Sequence, residues 1–166
     1  AFDFVVSNMT VTALYLPLFE PIRSFPGANY SVDAIAMQPD GKIVVGGVFT
    51  TLGGVPRSRI ARIHADGTID NDFKASAGFH VYALAVQPDG KILAGGNFVG
   101  MNGVPRNRIA RLNPDGTLDA DFSPDAGGTV ATLALQADGK ILVGGHFTNM
   151  NGMARNRIAR LNSDGT

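Results

Sequence analysis

The chain has 166 residues, carries 14 basic and 14 acidic side chains, and contains no Cys. With no net charge, electrostatic capture of nucleic acid or an anionic membrane has no support, and without Cys there is no disulfide, thiolate nucleophile or Cys-ligated zinc. No apolar stretch reaches the roughly 18–20 residues that a membrane-crossing helix needs.

Residues 1–20 form an apolar extension, charged only at Asp3 and Glu20. Thr10, Thr12, Leu14 and Leu16 alternate with Val11, Ala13 and Tyr15, and such residues favour a strand. Two readings are open. The strand packs on its own chain or an upstream domain, or it is donated to a neighbouring subunit. In the second case main-chain hydrogen bonds give affinity and alternate side chains fill pockets. The self-association residues are then Val11, Leu14, Tyr15, Leu16, Leu18 and Phe19. Asn8 and Asn29 head Asn-x-Ser/Thr sequons, acceptors for glycosylation outside the cytoplasm.

From residue 21 onward one unit recurs with a period of 49 residues. Gly41, Gly90 and Gly139 share one register, as do Phe49, Phe98 and Phe147, and Ile60, Ile109 and Ile158. Between 103–117 and 152–166, 12 of 15 aligned residues are identical. A fixed period of this length marks one supersecondary unit stacked on copies of itself.

The middle copy reads as strands in order. HVYALAVQ (80–87) is apolar on both alternating faces, so a strand buried on both sides is expected. Asp89-Gly90 predicts a two-residue type I′ turn. KILAGGNF (91–98) is a second strand, and its Gly pair signals a bulge or close backbone approach. VGMNGVPRN (99–107) reads as a surface loop. RIARLN (108–113) is a third strand, Asp115-Gly116 a second turn, and TLDADF (117–122) a fourth strand. No window carries helical periodicity. The fold class is therefore all-β, with three propeller-type, four-stranded antiparallel blades over 21–166.

The phrase QPDGKILAGGNF…NGVPRNRIARLNPDGTLDADF closely resembles the delta-sixty repeat, a β-propeller repeat family of bacterial secreted and surface proteins. The Gly-Gly after its second strand is also similar to the kelch blade. The resemblance covers about 21–166, with Ser58 for Asn, Met153-Ala154 for Val-Pro, and Ala137 for Pro as the departures. It implies the propeller fold and an extracellular or cell-surface location, and no catalytic residues.

Phe25 aligns with Phe73 and Phe122 one residue short of the period, so the segment 22–25 stands where the fourth strand is due and is expected to complete the last blade. Three blades are fewer than the roughly four to eight of closed propellers. Closure is expected from repeats beyond Thr166, from a second copy making six blades, or not at all, giving a filament.

Nine Arg recur as Arg57, Arg59 and Arg62; Arg106, Arg108 and Arg111; and Arg155, Arg157 and Arg160. They form either an anion- or acidic-glycan-binding ring or a set of intra- and inter-blade pairs with the Asp of each repeat, and repetition favours pairing. The run 113–121, with Asp115, Asp119 and Asp121, offers oxygens to calcium but lacks the EF-hand spacing, and turn chemistry explains its Asp-Gly. His64, His80 and His146 fall at three repeat phases, which gives no repeated zinc shell. No nucleotide loop, nucleophile elbow or asymmetric acid–base pair is found, so no cofactor and no enzymatic activity are expected. The expected protein is a non-enzymatic extracellular structural one, self-associating into a homo-oligomer or filament. The alternative is a secreted binding module, holding a glycan or protein through the loops around Asn102 and Asn151.

Overall fold

A computed structural model of the chain describes residues 25–166. The extension strand over 1–20, with Val11, Leu14, Tyr15, Leu16, Leu18, Phe19 and the Asn8 sequon, lies outside the described residues, as does nearly all of the 22–25 segment. Among the described residues there is no helix, and so none long and apolar enough to cross a membrane.

The period expresses itself as three copies of one strand set. The first has β1 (Val32–Met37), β2 (Ile43–Gly47), β3 (Thr51–Leu52), β4 (Val55–Pro56) and β5 (Ile60–Ile63). The second has β6 (Val81–Val86), β7 (Ile92–Gly96), β8 (Gly100–Met101), β9 (Val104–Pro105) and β10 (Ile109–Leu112). The third has β11 (Thr129–Leu135), β12 (Ile141–His146), β13 (Asn149–Met150), β14 (Met153–Ala154) and β15 (Ile158–Leu161). Each blade is a three-stranded antiparallel sheet, ordered β1-β2-β5, β6-β7-β10 and β11-β12-β15.

Three local expectations are corrected. The Asp-Gly turns are not type I′: Gly90 has φ +83° while Asp89 is not left-handed. Gly90 N donates to Gln87 O at 2.9 Å and Gln87 N to Lys91 O at 2.8 Å, so Pro88-Asp89-Gly90 is a three-residue loop with one left-handed glycine. The Asp89 carboxylate accepts from Lys91 N at 3.1 Å and closes it. Second, the loop 99–107 contains the hairpin β8–β9, and its counterparts β3–β4 and β13–β14 recur. Third, TLDADF pairs only through the single bridge Leu112↔Leu118, and the first copy does so through Ile63↔Ile69. The fourth position of the blade is thus a one-residue contact. Asp119 Oδ1 accepts from Asp121 N at 3.2 Å, as Asp70 does from Asp72 N at 2.9 Å, which curls the chain away from an extended strand.

The Gly pairs do both things expected of them. Register shifts between Val81 and Ala83 opposite Gly95-Gly96, so the inner strand bulges there, and the same shift occurs in the other two blades. A Cβ on Gly96 would meet His80 O at 2.0 Å, so backbone occupies that space. A Cβ on Gly95 would meet Val130 Cγ1 at 2.6 Å, so the glycine opens a seat for the next blade's valine, and Gly46 seats Val81 at the same distance.

Burial follows these seats. One apolar cluster joins the first and second blades around Val44, Ile60, Val81, Ile92 and Phe98. Another joins the second and third around Leu93, Ile109, Phe122, Val130 and Phe147. Strand β6 is therefore covered, whereas its counterpart β1 is largely exposed. Phe25 is 55% exposed, unlike the buried Phe73 and Phe122 of its register.

Candidate functional site

The nine arginines separate into three roles fixed by register. Arg62 and Arg111 are buried on the central faces of β5 and β10. Arg62 Nε donates to Asp70 Oδ2 and Arg111 Nε to Asp119 Oδ2, each at 2.8 Å. Their guanidiniums lie 4.6 Å and 4.4 Å from the ring centroids of Phe73 and Phe122, a cation–π arrangement. The same groups reach across the seam. Arg111 Nη1 donates to Ser163 O at 2.5 Å, and Arg62 Nη1 donates to Pro114 O.

Arg59, Arg108 and Arg157 hold left-handed backbone, with φ of 63°, 66° and 67°. Each amide donates to a Phe carbonyl of the preceding strand end, Phe49, Phe98 or Phe147. Arg108 Nη1 then donates to Ala126 O of the following blade's connector at 2.9 Å, and Arg59 Nη1 contacts Ala77 O at 3.4 Å. Arg57, Arg106 and Arg155 bond the carbonyl of the residue before them and lie on the hairpin rim. Arg57 also donates to Asn71 Oδ1 at 2.6 Å, and Arg106 to Ala120 O at 3.2 Å.

Arg62 and Arg111 are thus paired within a blade and across a seam. Burial raises the Asp119 carboxyl pKa, but hydrogen bonds from Lys91 and Arg111 and the Arg111 charge outweigh it and hold it below its ordinary value. Asp70 is also lowered: burial pushes it up, and the Asp72 amide with Arg62 brings it down further. Lys91 Nζ joins Asp119 at 2.8 Å, whereas Lys42 turns to Asp40 at 3.0 Å.

The other candidates are dispersed. Among the described residues no three His, Asp or Glu side chains are placed to hold a metal. Asp119 faces Arg111 and Lys91, while Asp115 Oδ1 accepts from Thr117 N and Oγ1 within its own turn. His64 stands 3.9 Å from Asp70, and His80 stacks on Phe79. Asn102 and Asn151, read as centres of binding loops, are structural clips. Asn102 Oδ1 accepts from Ser76 N at 2.8 Å and its Nδ2 donates to Gly116 O at 2.9 Å. Asn151 repeats this with Asp125 N and Gly165 O. The Asn29 amide, in the second sequon, is already engaged: Nδ2 donates to Thr50 Oγ1, and Oδ1 accepts from Thr50 N and Thr51 N.

The repeat shows what its two outer faces lack. Ile60 and Ile109 are fully buried beneath the next blade, whereas Ile158 is 69% exposed. Leu84 packs into the core at the register where Ile35 is 67% exposed. Arg157 and Arg160 are exposed, and their side chains have no partner among the described residues.

Stacked antiparallel blades, seated valine on glycine and tied by seam-crossing arginines, define a β-propeller-type repeat protein. The chain belongs to the family described as a domain of unknown function (DUF5122) beta-propeller, whose model matches residues 38–73, 87–122 and 136–166. A solved structure, a protein of unknown function from Bacteroides caccae, aligns with 79% of this chain at 19% identity and a TM-score of 0.50. The chain spans 45% of that neighbour's length, and the likeness concerns fold alone. No match is found among curated proteins.

Proposed function

We propose that the chain is a non-enzymatic structural protein of the cell exterior that associates with copies of itself. The observation supporting this is the pair of unmatched faces, apolar on one side at Val32, Ile35 and Met37 and on the other at Ile158. Shifting the internal seam by one period specifies the docking. Val32 faces Gly144, the counterpart of Gly46 and Gly95 that seat Val81 and Val130, and the Thr132 methyl, which stands 2.7 Å from the position of a Cβ there, turns aside to admit it. Ala28 O meets Arg157, Ala28 N meets Asn156 O, and Ala65 O meets Arg160, by analogy with the existing bonds. The contact is head to tail, so it yields a six-bladed ring if it closes and a fibre if it does not. The extension over 1–20 is the second adhesive element, as a donor strand.

The extracellular setting is supported by the resemblance to delta-sixty repeats. The non-enzymatic reading is supported by the acids: Asp70 and Asp119 recur in register and are held ionised, Asp70 by the Asp72 amide and Arg62, and Asp119 by Lys91 and Arg111, not poised for proton transfer. Light scattering of the protein and of Ile158→Asp tests the assembly. The expected result is an associated wild type and a dispersed variant with the same far-UV circular dichroism. A wild type that stays monomeric at tens of micromolar (about the level where weak interfaces populate) overturns it. Deleting residues 1–19 separates the two elements, since association through the blade faces survives it. Electron micrographs then distinguish rings from fibres.

A further inference from the structure

We infer that the groove between the first and second blades, on the hairpin rim, is a binding site for an acidic sugar residue. The inference does not depend on the assembly proposed above. The groove has a volume of about 420 Å³ and is walled by Ser58 and Arg59 on one side, Ser76 to Gly78 along the floor, and the β8–β9 hairpin on the other.

It exists because the repeat is broken there. At the register of 29, 78 and 127 stand Asn, Gly and Gly; at that of 51, 100 and 149 stand Thr, Gly and Asn. Only the second blade has glycine at both, with Gly78 N donating to Gly100 O at 2.9 Å. In the third blade the Asn149 side chain fills the corresponding space, so a Cβ on Gly127 would lie 2.2 Å from its Nδ2. In the first, the Asn29 side chain folds onto Thr50 and Thr51.

The surroundings of the groove are also particular to this seam. Phe79, 44% exposed, lies beside Gly78, where the third blade has Gly128. Its ring stacks on His80 at 4.0 Å, and His80 Nδ1 hydrogen-bonds Tyr82 O–H at 2.9 Å, which fixes the aromatic group in place. The Arg59 guanidinium stands 5.6 Å from the Phe79 centroid. Its Nη1 has only the 3.4 Å contact with Ala77 O, and its Nε is shielded from solvent with no acceptor. Buried donors without acceptors carry a desolvation cost that a ligand oxygen relieves. The Ser58 and Ser76 hydroxyls have no hydrogen-bond partner among the described residues.

A guanidinium, two hydroxyls and an apolar hairpin wall in an open groove fit a hexuronate. The carboxylate takes Arg59, ring hydroxyls take the serines, and the sugar's C–H face takes the Val99 and Val104 surface. A purely apolar ligand leaves the arginine unanswered.

The test is calorimetric titration of the whole chain with trigalacturonate and with its fully methyl-esterified form, which keeps the sugar and removes the charge. Saturable binding is expected for the acid, weaker by about tenfold or more for the ester. Arg59→Asn removes the cation with a residue that tolerates left-handed φ, and Gly100→Asn copies the third blade and fills the groove. Each is expected to weaken binding by about tenfold or more, with unchanged circular dichroism. Arg108→Asn, the equivalent at the next seam, leaves binding intact. No saturable binding, equal binding of acid and ester, retained affinity in Gly100→Asn, or an equal loss in Arg108→Asn overturns the inference.

Discussion

Replacing Asp119 by Ala tests the idea that arginine–aspartate pairs hold each blade and its seam together. The side chains of Arg111 and Asp119 are 10% and 8% exposed, so the variant leaves a buried guanidinium without its carboxylate. Breaking a buried pair from one side costs about 3–5 kcal/mol. Arg111 keeps Phe122 and Ser163 O, which places the loss near the lower end, about 3 kcal/mol. Lys91 loses its partner too, whereas Lys42 never used Asp70. Asp70→Ala should therefore cost less, by about 0.2–1 kcal/mol. With no Trp in the chain, urea unfolding is best followed by far-UV circular dichroism. With a urea slope of about 2 kcal/mol/M, the midpoint falls by about 1.5 M. Adding Arg111→Met to Asp119→Ala should restore much of the loss, since an apolar chain needs no counter-charge there. A midpoint shift equivalent to less than about 1 kcal/mol, or a double variant no better than the single, refutes the reasoning.

Acid should act through the same groups. Both carboxyls are lowered in the folded state, so their contribution is complete above the unfolded carboxylate value of about 3.9 and is lost as pH falls through the folded values. Urea midpoints measured from pH 6 to 2 should fall steeply below about pH 4, and Asp70→Asn with Asp119→Asn should flatten that limb. Gly95→Ala drives a methyl to within 2.6 Å of Val130 Cγ1 and should cost about 1–3 kcal/mol. Combined with Val130→Ala, it should cost less than the sum of the two singles in a double-mutant cycle. Ile109→Asp should abolish cooperative unfolding, because the residue is fully buried, while Ile158→Asp, at an exposed position, leaves the dispersed chain folded and its unfolding cooperative.

The sequence carried the architecture through spacing alone. Gly95-Gly96 signalled both a bulge and a close approach, because a strand gives up two side chains only when something else fills their place. The hairpin β8–β9 was hidden, since Gly-Met-Asn-Gly-Val-Pro has loop composition and its strands are only two residues long. TLDADF alternates like a strand, but Asp119 is buried against Arg111 and accepts from the Asp121 amide instead. Arg59, Arg108 and Arg157 gave no signal of their positive φ, because a bulky residue there is held by tertiary hydrogen bonds, not by propensity. The groove at Gly78 and Gly100 was legible only as a departure between copies. It becomes visible once the register shows that Asn149 occupies the space opposite Gly127.

The valine-on-glycine seat has an evolutionary corollary. Both internal seams seat a valine on a glycine, so a tandem duplication of one whole period presents the newcomer with a seat its valine already fits. Growth or shrinkage in steps of 49 codons keeps valine in phase with its hollow, while any other step throws it out.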